Sequence, residues 1–436
     1  EWYERLDRQP GLLYLPHAYV VPGGHFNEMY GWDSYFMARG AIADGRSDLA
    51  RAMLENFVYQ IEHYGKIGNS NRSYHRGRSQ PPFLGALARS VSEAMPPGPE
   101  RDAVIRRALQ AGERELREIW LSPPRITPTG LSLYRDEWNG PLPETSGQHY
   151  KVWRGDDPEF RAHQRAVRES GWDMTLRFGE RGHRTIPVCL NALLYGYERD
   201  LAELYRQLDG AGSPDASRLD AAAEARRKKM NELMWDEARG LFFDWDVDRS
   251  ARNDYEHVAS YYALFVGLAS EAQARRIVER LPAFEMAGGL AVSSERSRHG
   301  AAGEQLQWDW PYGWAPHQIL AVEGLRRYGF GREADRVSIA WLSMLFDIAG
   351  ANNGLVKEKY DVVNRSADVP VEYGNQGGDR GPFAHYPAGC APEQACAPEL
   401  TLVDLSSRAI GFGWTNASVS LLLDGLSEAA RQRLEQ

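Results

Sequence analysis

The sequence predicts an all-α protein, a double ring of helices forming an (α/α) barrel with long functional loops at one end. Three observations carry that expectation. Most of the chain repeats apolar residues at the 3.6-residue spacing of a helix with one buried face. Strand signals are few and short, GLFFDWDV at 240–247 being the clearest, and no strand–helix alternation with Gly-rich turns supports a parallel sheet. Long segments rich in Gly, Pro and aromatics (64–82, 121–160, 285–313 and 349–411) separate the helices. Loops beyond ~12–15 residues are uncommon in compact domains unless they carry function. An irregular bundle or a helical solenoid shares the periodicity, although no repeat of fixed period favours the solenoid.

Taken in order, the first helix is expected over 33–45. In the next, over 48–64, Leu49, Met53, Phe57 and Ile61 line one face. Helices follow over 83–95 and over 100–120, a charged segment in which Val104, Leu109, Leu116 and Ile119 recur. Further helical periodicity runs over 190–208, 216–235, 257–269, 271–281, 314–328, 331–348 and 416–434. No clean linker interrupts this series, so residues 1–436 are expected to form a single domain.

The 436 residues are 43% hydrophobic, 11% aromatic and 25% charged, which excludes disordered, collagen-like and low-complexity classes. No run of ~18 apolar residues is present to span a membrane, and the mean hydropathy of -0.53 agrees. A net charge of -9 repels phosphate backbones and anionic lipid heads, so nucleic-acid and membrane partners are not expected. A small neutral solute is not disfavoured. Three cysteines make no disulfide framework. For Cys390 and Cys396, six apart in GCAPEQAC, a single bridge and two unpaired thiols both fit, whereas Cys189 in IPVCLNALL reads as a buried small hydrophobe. The chain begins at Glu1, which suits a removed signal peptide and a trimmed sequence alike. The compartment stays open, with the cytoplasm preferred to the periplasm or secretion, and the oligomeric state is not legible.

The chemistry lies in the loops. In PGGHFNEMYGWDSYF (22–36), aromatics alternate with carboxylates: Phe26, Glu28, Tyr30, Trp32, Asp33, Tyr35. Sugars present flat C–H faces edged with hydroxyls, which such a mixture covers and accepts from. An aromatic core segment with helix-capping acids fits equally well. GNSNRSYHRGRSQPPF (68–83) offers Asn69, Asn71, Arg72, Arg78 and Gln80, fork-shaped groups suited to hydroxyls or to plain solvation. In ESGWDMTLRFG (169–179), Asp173 follows Trp172. An indole beside a carboxyl raises its pKa toward what a general acid needs, although a helix N-cap is the plainer role. In QWDWPYGWAPHQIL (307–320), Trp308, Trp310, Tyr312 and Trp314 surround Asp309, and Pro311 and Gly313 keep them from sharing one helix face. A stacking wall for sugar rings accounts for them, and a purely structural scaffold would not need them together. VEYGNQGGDRG (371–381) and GFGWTN (411–416) complete the set.

Other chemistries are not supported. The eleven histidines make no helical zinc pair, and there is no phosphate-cradling Gly-rich loop, no GxSxG elbow and no paired CxxC. Neither a metal nor an organic cofactor is expected. Acids beside Trp and Tyr, without a nucleophile triad, point to glycoside hydrolysis.

The first and fourth clusters resemble the two signature motifs of the trehalase family, glycoside hydrolase family 37, roughly PGGRFxExYxWDxY and QWDxPxxWxP. Here they read PGGHFNEMYGWDSY and QWDWPYGWAP, and NRS…RSQPPF, GPLPET, SGWD, EKYDV and GFGWTN also match, in order, from about residue 20 to about residue 425. The resemblance implies an (α/α)6 barrel that hydrolyses an α-glucoside with inversion. It assigns the general acid to Asp173 of SGWD and the general base to Glu372 of EYGNQGG, which keeps the E-Y-x-x-Q-x-G spacing. An insertion of about 30 residues then precedes GFGWTN, and Asp379 and Asp404 compete for the base role. Sugar contacts carry over to Phe26, Trp32, Asp33, Asn69, Arg78, Gln80, Glu144 and Trp308.

The resemblance implies that two departures fall on the leaving-group side. His25 replaces the Arg of PGGRF, and Leu142 in PLPET replaces the Arg of the family's PRPES. The expected substrate is therefore trehalose, with a smaller compatible-solute α-glucoside such as glucosylglycerol or glucosylglycerate as the second reading. A sugar-binding protein without turnover is the reading from a different class. An inverting pair of carboxyls stands ~6.5–9.5 Å apart, leaving room for water.

Overall fold

The computed structural model describes residues 11–24, 26–75, 77–135, 157–298, 306–352, 354–369, 380–385, 399–404 and 411–435, with 380–385 and 399–404 described as backbone. Among these residues the helices are α1 (Gly31–Ala43), α2 (Ser47–Tyr64), α3 (Leu84–Ala94), α4 (Pro99–Glu115), α5 (Pro158–Glu169), α6 (Val188–Asp209) and α7 (Pro214–Leu233). They continue as α8 (Ser260–Phe265), α9 (Glu271–Glu279), α10 (Ala315–Arg327), α11 (Gly331–Ala351), α12 (Gly413–Gly425) and α13 (Glu428–Leu434).

Six of them close an inner ring. α1 packs on α3, α3 on α6, α6 on α8, α8 on α10, α10 on α12, and α12 returns to α1. Each is followed by an outer partner, α2, α4, α7, α9, α11 and α13 respectively, which gives an (α/α)6 barrel. The sequence shows why. Inner α1, GWDSYFMARGAIA, is apolar nearly all round and buries nine of its residues, as a helix enclosed on every side must. Outer α2 buries Met53, Leu54, Phe57, Val58 and Ile61 at helical spacing and gives its other face to solvent. Ring closure needs a small residue: a Cβ on Gly40 of α1 would lie 2.7 Å from Cβ of Ala417 in α12.

The connections are asymmetric. Turns from inner to outer helix are short, as between Ala43 and Ser47 or Arg327 and Gly331. The return from outer to inner helix runs through every long Gly- and aromatic-rich segment, so those segments gather at one end.

Four expectations are revised. The segment 416–434 is two helices, because Ser427 caps α13 by accepting from the Ala430 N–H while Leu426 is extended. The helix expected over 257–269 shrinks to α8. In the segment read as loop, α5 forms behind an Asp157 cap and Pro158 at its first turn. Its buried face includes His163, Gln164, Arg165, Arg168 and Glu169, so apolar periodicity does not reveal it. The expected strand at 240–247 is two short ones, Leu241–Phe242 and Trp245–Asp246, and an antiparallel ribbon, Arg380–His385 with Glu399–Asp404, lies in the insertion.

Candidate functional site

A cavity of about 220 Å³ opens at the end of the barrel where the long segments gather. Its lining comes from stretches that lead into inner helices: Phe26 to Asp33 ahead of and into α1, Asn69 to Gln80 ahead of α3, Gly171 and Asp173 ahead of α6, Gln307 to Trp314 ahead of α10, and Glu358, Phe412 and Trp414 ahead of and into α12. Eleven residues singled out in the sequence meet here: Phe26, Glu28, Tyr30, Trp32, Asp33, Asn69, Arg78, Gln80, Asp173, Trp308 and Trp314. His25, Leu142, Glu144, Asp379, Glu372, Cys390 and Cys396 lie outside the described residues, as does the side chain of Asp404.

Indoles form the apolar wall. Trp308 stacks on Trp314 with ring centroids 3.6 Å apart and planes 7° from parallel; Trp32 meets Trp308 and Trp414 meets Trp314 at 5.8 Å, and Trp32 and Trp414 meet each other at 5.7 Å. Two of the four aromatics expected to form the stacking wall point elsewhere. Tyr312 sits in a short strand paired with Lys359–Asp361, and Trp310 is not among the lining residues; its backbone N–H donates to Ser293 Oγ at 2.9 Å. Backbone carbonyls fix the indole edges: Trp314 Nε1 donates to Gln307 O (2.8 Å) and Trp414 Nε1 to Glu358 O (3.1 Å).

The polar edge is held as firmly. Gln80 Oε1 accepts from the Trp32 backbone N–H at 3.0 Å, one of the first-turn donors that a helix leaves unpaired. The Asn69 carbonyl accepts from Gly31 N–H (3.1 Å), and Arg78 Nη2 donates to Asn69 Oδ1 (3.3 Å), so this loop and the start of α1 form one unit. Behind them Glu169 accepts from the Ser79 and Arg135 amides and from Arg125, a fully buried ion pair.

Four carboxyl groups line the cavity: Glu28, which is held by Arg72, and Asp33, Asp173 and Glu358. Burial holds Asp33 well above the usual carboxylate range, opposed by its backbone hydrogen bond and reinforced by Glu358 and Asp173. Glu358 Oε2 accepts from Lys359 Nζ at 2.8 Å. The same ammonium donates to Gln307 Oε1 at 3.0 Å, and Gln307 Nε2 donates to the Asp173 carbonyl at 3.2 Å. A buried chain of contacts thus ties three loops together.

Asp173 caps no helix; it occupies a turn between two left-handed residues, Gly171 (φ 74) and Met174 (φ 60). A non-glycine residue in that region is strained and persists where its surroundings dictate it. The Trp172 indole is turned away from the cavity, over Arg177 (4.4 Å) and against His317 (4.7 Å), so the expected indole wall beside Asp173 is not formed by Trp172. Asp309 lies behind the site, accepting from Thr175 Oγ1 (2.7 Å), Leu176 N–H and Tyr255 O–H. Burial raises it to about 6 against those donors. Cys189 is buried as expected, between Tyr134 and Arg177.

Sequence reasoning did not assign Glu358, Gln307, His75 or Trp414 to the site. The signal was there, in EKYDV, QWDWP and GFGWTN and, for His75, in GNSNRSYHRGRSQPPF, but local pattern does not say which side chain of a motif faces a cavity. Among the described residues no helix is long and apolar enough to cross a membrane.

Comparison with known proteins accords with this geometry. A sequence model of the family described as Trehalase matches residues 3–427. A cytosolic neutral trehalase of Saccharomyces cerevisiae is 40% identical over 492 aligned residues, covering 100% of this chain and 62% of the relative. That of Kluyveromyces lactis is 37% identical, again over 100% and 62%. The chain therefore spans somewhat under two thirds of the length of these relatives. A solved structure of neutral trehalase Nth1 from Saccharomyces cerevisiae superposes with a TM-score of 0.83 at 35% identity, over 99% of this chain and 81% of that one. A mannosylglycerate hydrolase from Thermus thermophilus, 19% identical with a TM-score of 0.60, covers 97% of this chain and 98% of that one and shares the fold. With the match running almost from end to end, the chain belongs to the trehalase family.

Proposed function

We propose that the chain is a single-domain inverting glycoside hydrolase that cleaves trehalose. The observation that carries the reading is a cavity walled by indoles and edged by Asp33, Asp173, Glu358, Asn69, Arg78 and Gln80, which suits a ring with apolar faces and a hydroxyl rim. Asp173 acts as general acid and protonates the glycosidic oxygen as the C1–O bond breaks. Glu372 acts as general base and takes a proton from the water that attacks C1 on the opposite face. Phe26, Trp32 and Trp308 cover the sugar, while Asp33, Asn69, Arg78, Gln80 and Glu144 bind its hydroxyls. His25 and Leu142 stand on the leaving-group side, and their departure from arginine favours a second reading, a smaller α-glucoside such as glucosylglycerol or glucosylglycerate. The kinship with cytosolic enzymes supports action in the cytoplasm.

The test is incubation with trehalose, glucosylglycerol and glucosylglycerate, following products by proton NMR. Inversion releases one β- and one α-glucose from each trehalose at the earliest times, whereas retention releases two α. Release of glucose from glucosylglycerol but not from trehalose selects the second reading. Two α-anomers overturn the mechanism, and tight saccharide binding without release overturns the enzyme.

A further inference from the structure

A second and larger cavity, about 490 Å³, opens at the same end of the barrel, formed by the segments leading into α6, α8 and α10. Its wall carries five arginines against two aspartates, Asp246 and Asp254. Two arginines are already neutralised. Arg177 pairs bidentately with Asp244 at 2.7 and 2.8 Å, and Arg181 pairs with Asp246. The other three, Arg249, Arg252 and Arg296, have no carboxylate oxygen nearer than 3.6 Å among the described residues. Their nearest acids are engaged elsewhere: Asp246 by Arg181, Asp236 by Arg239, and Glu256 by Ser294. The lining therefore holds five arginines against two aspartates, three of the arginines in ion pairs no shorter than 3.6 Å. It also contains a buried acceptor. Asn253 donates through Nδ2 to the Arg177 carbonyl (3.3 Å), while its Oδ1 is buried and meets no donor among the described residues.

Guanidinium groups whose ion pairs are too long for a hydrogen bond keep donors free for an oxyanion with several acceptor oxygens, and a buried carbonyl oxygen without a donor fits a hydroxyl. We infer that this cavity binds a phosphomonoester of a small sugar or polyol, its phosphate taken by Arg249, Arg252 and Arg296 and a hydroxyl donating to Asn253 Oδ1. The site is not isolated from the first. Leu176 and Tyr255 line it, and both donate to Asp309, which also holds Thr175, two residues after Asp173. Occupancy therefore biases the Asp173 turn. That coupling rests on the function proposed above, whereas binding does not.

Glucose 6-phosphate, inorganic phosphate and glucose are titrated separately into the full chain by calorimetry, at fixed ionic strength. Glucose 6-phosphate is expected to bind most tightly. Arg249→Gln with Arg296→Gln, neither of which lines the catalytic cavity, is expected to weaken it about 100-fold, at roughly tenfold per charge-assisted contact, without lowering the thermal midpoint. Asn253→Leu should weaken glucose 6-phosphate more than phosphate. The inference is overturned by no binding of glucose 6-phosphate below ~10 mM, by an unchanged Kd in the arginine double variant, or by glucose binding as tightly as its phosphate. Equal Kd values for phosphate and glucose 6-phosphate overturn the hydroxyl contact. A glucose 6-phosphate that binds but leaves hydrolysis of a working substrate unchanged overturns the coupling alone, and hydrolysis failing for every glucoside leaves the binding result standing.

Discussion

The residue on which the site leans hardest does not line it. Glu169, at the end of α5, is fully buried and uses both oxygens: Oε1 accepts from Ser79 N–H (2.9 Å) and Arg125 Nη2 (2.6 Å), Oε2 from Arg135 N–H (2.6 Å) and Arg125 Nε (3.3 Å). Glu169→Gln keeps the shape but removes the charge and turns one acceptor into a donor facing other donors. Breaking a buried pair by removing one partner costs about 3–5 kcal/mol, because the remaining charge is left uncompensated. The effect reaches catalysis through Ser79, which stands between Arg78 and Gln80, both lining the cavity, and Gln80 in turn caps α1 at Trp32. A displacement of ~1 Å in such a frame costs about 10²-fold in rate. We expect the unfolding midpoint in denaturant to fall by an amount equivalent to about 3–5 kcal/mol at unchanged slope, and kcat/KM to fall about 100-fold. A double-mutant cycle with Arg125→Met should show a coupling of at least about 2 kcal/mol. Stability of Glu169→Gln within about 0.5 kcal/mol of the parent, or a cycle that closes without coupling, would refute the reasoning.

Asp173→Asn removes the transferable proton at constant size, so kcat should fall by about 10²–10⁴-fold, with the Kd of a non-hydrolysed sugar analogue unchanged by calorimetry. Gly171→Ala places a Cβ 2.9 Å from Trp32 Cζ2 at φ +74; the backbone strain alone costs about 1–2 kcal/mol, and the displaced indole should raise KM, both read from unfolding and initial-rate curves. His317, buried among Trp32, Trp172 and Trp308, is pushed by burial down to about 3, with further lowering by Arg177 and His257. The unfolded chain takes up that proton near pH 6.5 and the folded chain does not, so stability is present above 6.5 and is lost as pH falls toward 3, by about 1.4 kcal/mol per pH unit. His317→Asn should flatten the stability–pH slope between pH 4 and 6 by that amount, whatever its absolute stability.

Local pattern carried the barrel further than it carried the site's interior. Outer helices such as α2 announce themselves because one face must be apolar, and inner α1 because nearly every face is. Helix α5 escapes because its buried face is satisfied by ions: Arg125 comes from 44 residues before Glu169, and Ser79 from 90 before it. No window of sequence displays such partners. The aromatic cluster at 307–314 reads correctly as a wall only for Trp308 and Trp314, because the turn at Trp310–Pro311 and the pairing of Tyr312 with Asp361 take the other two out of the lining. Glu358 stands in a motif that was legible, beside a lysine whose burial was not.

The placement of the site follows from the connection lengths. Each short turn from inner to outer helix leaves no room for a binding loop, so every long return must run to the N-terminal ends of the inner helices. Asp33 sits in the first turn of α1, where the helix dipole favours a negative charge by ~0.3–1 kcal/mol. Burial opposes that and wins, reinforced by two other carboxyls, and Asp33 holds its proton to higher pH than a surface aspartate would. Glu358, by contrast, has the Lys359 ammonium against it. Two carboxyls of one cavity are thereby given different surroundings, one disfavouring charge and one balancing it.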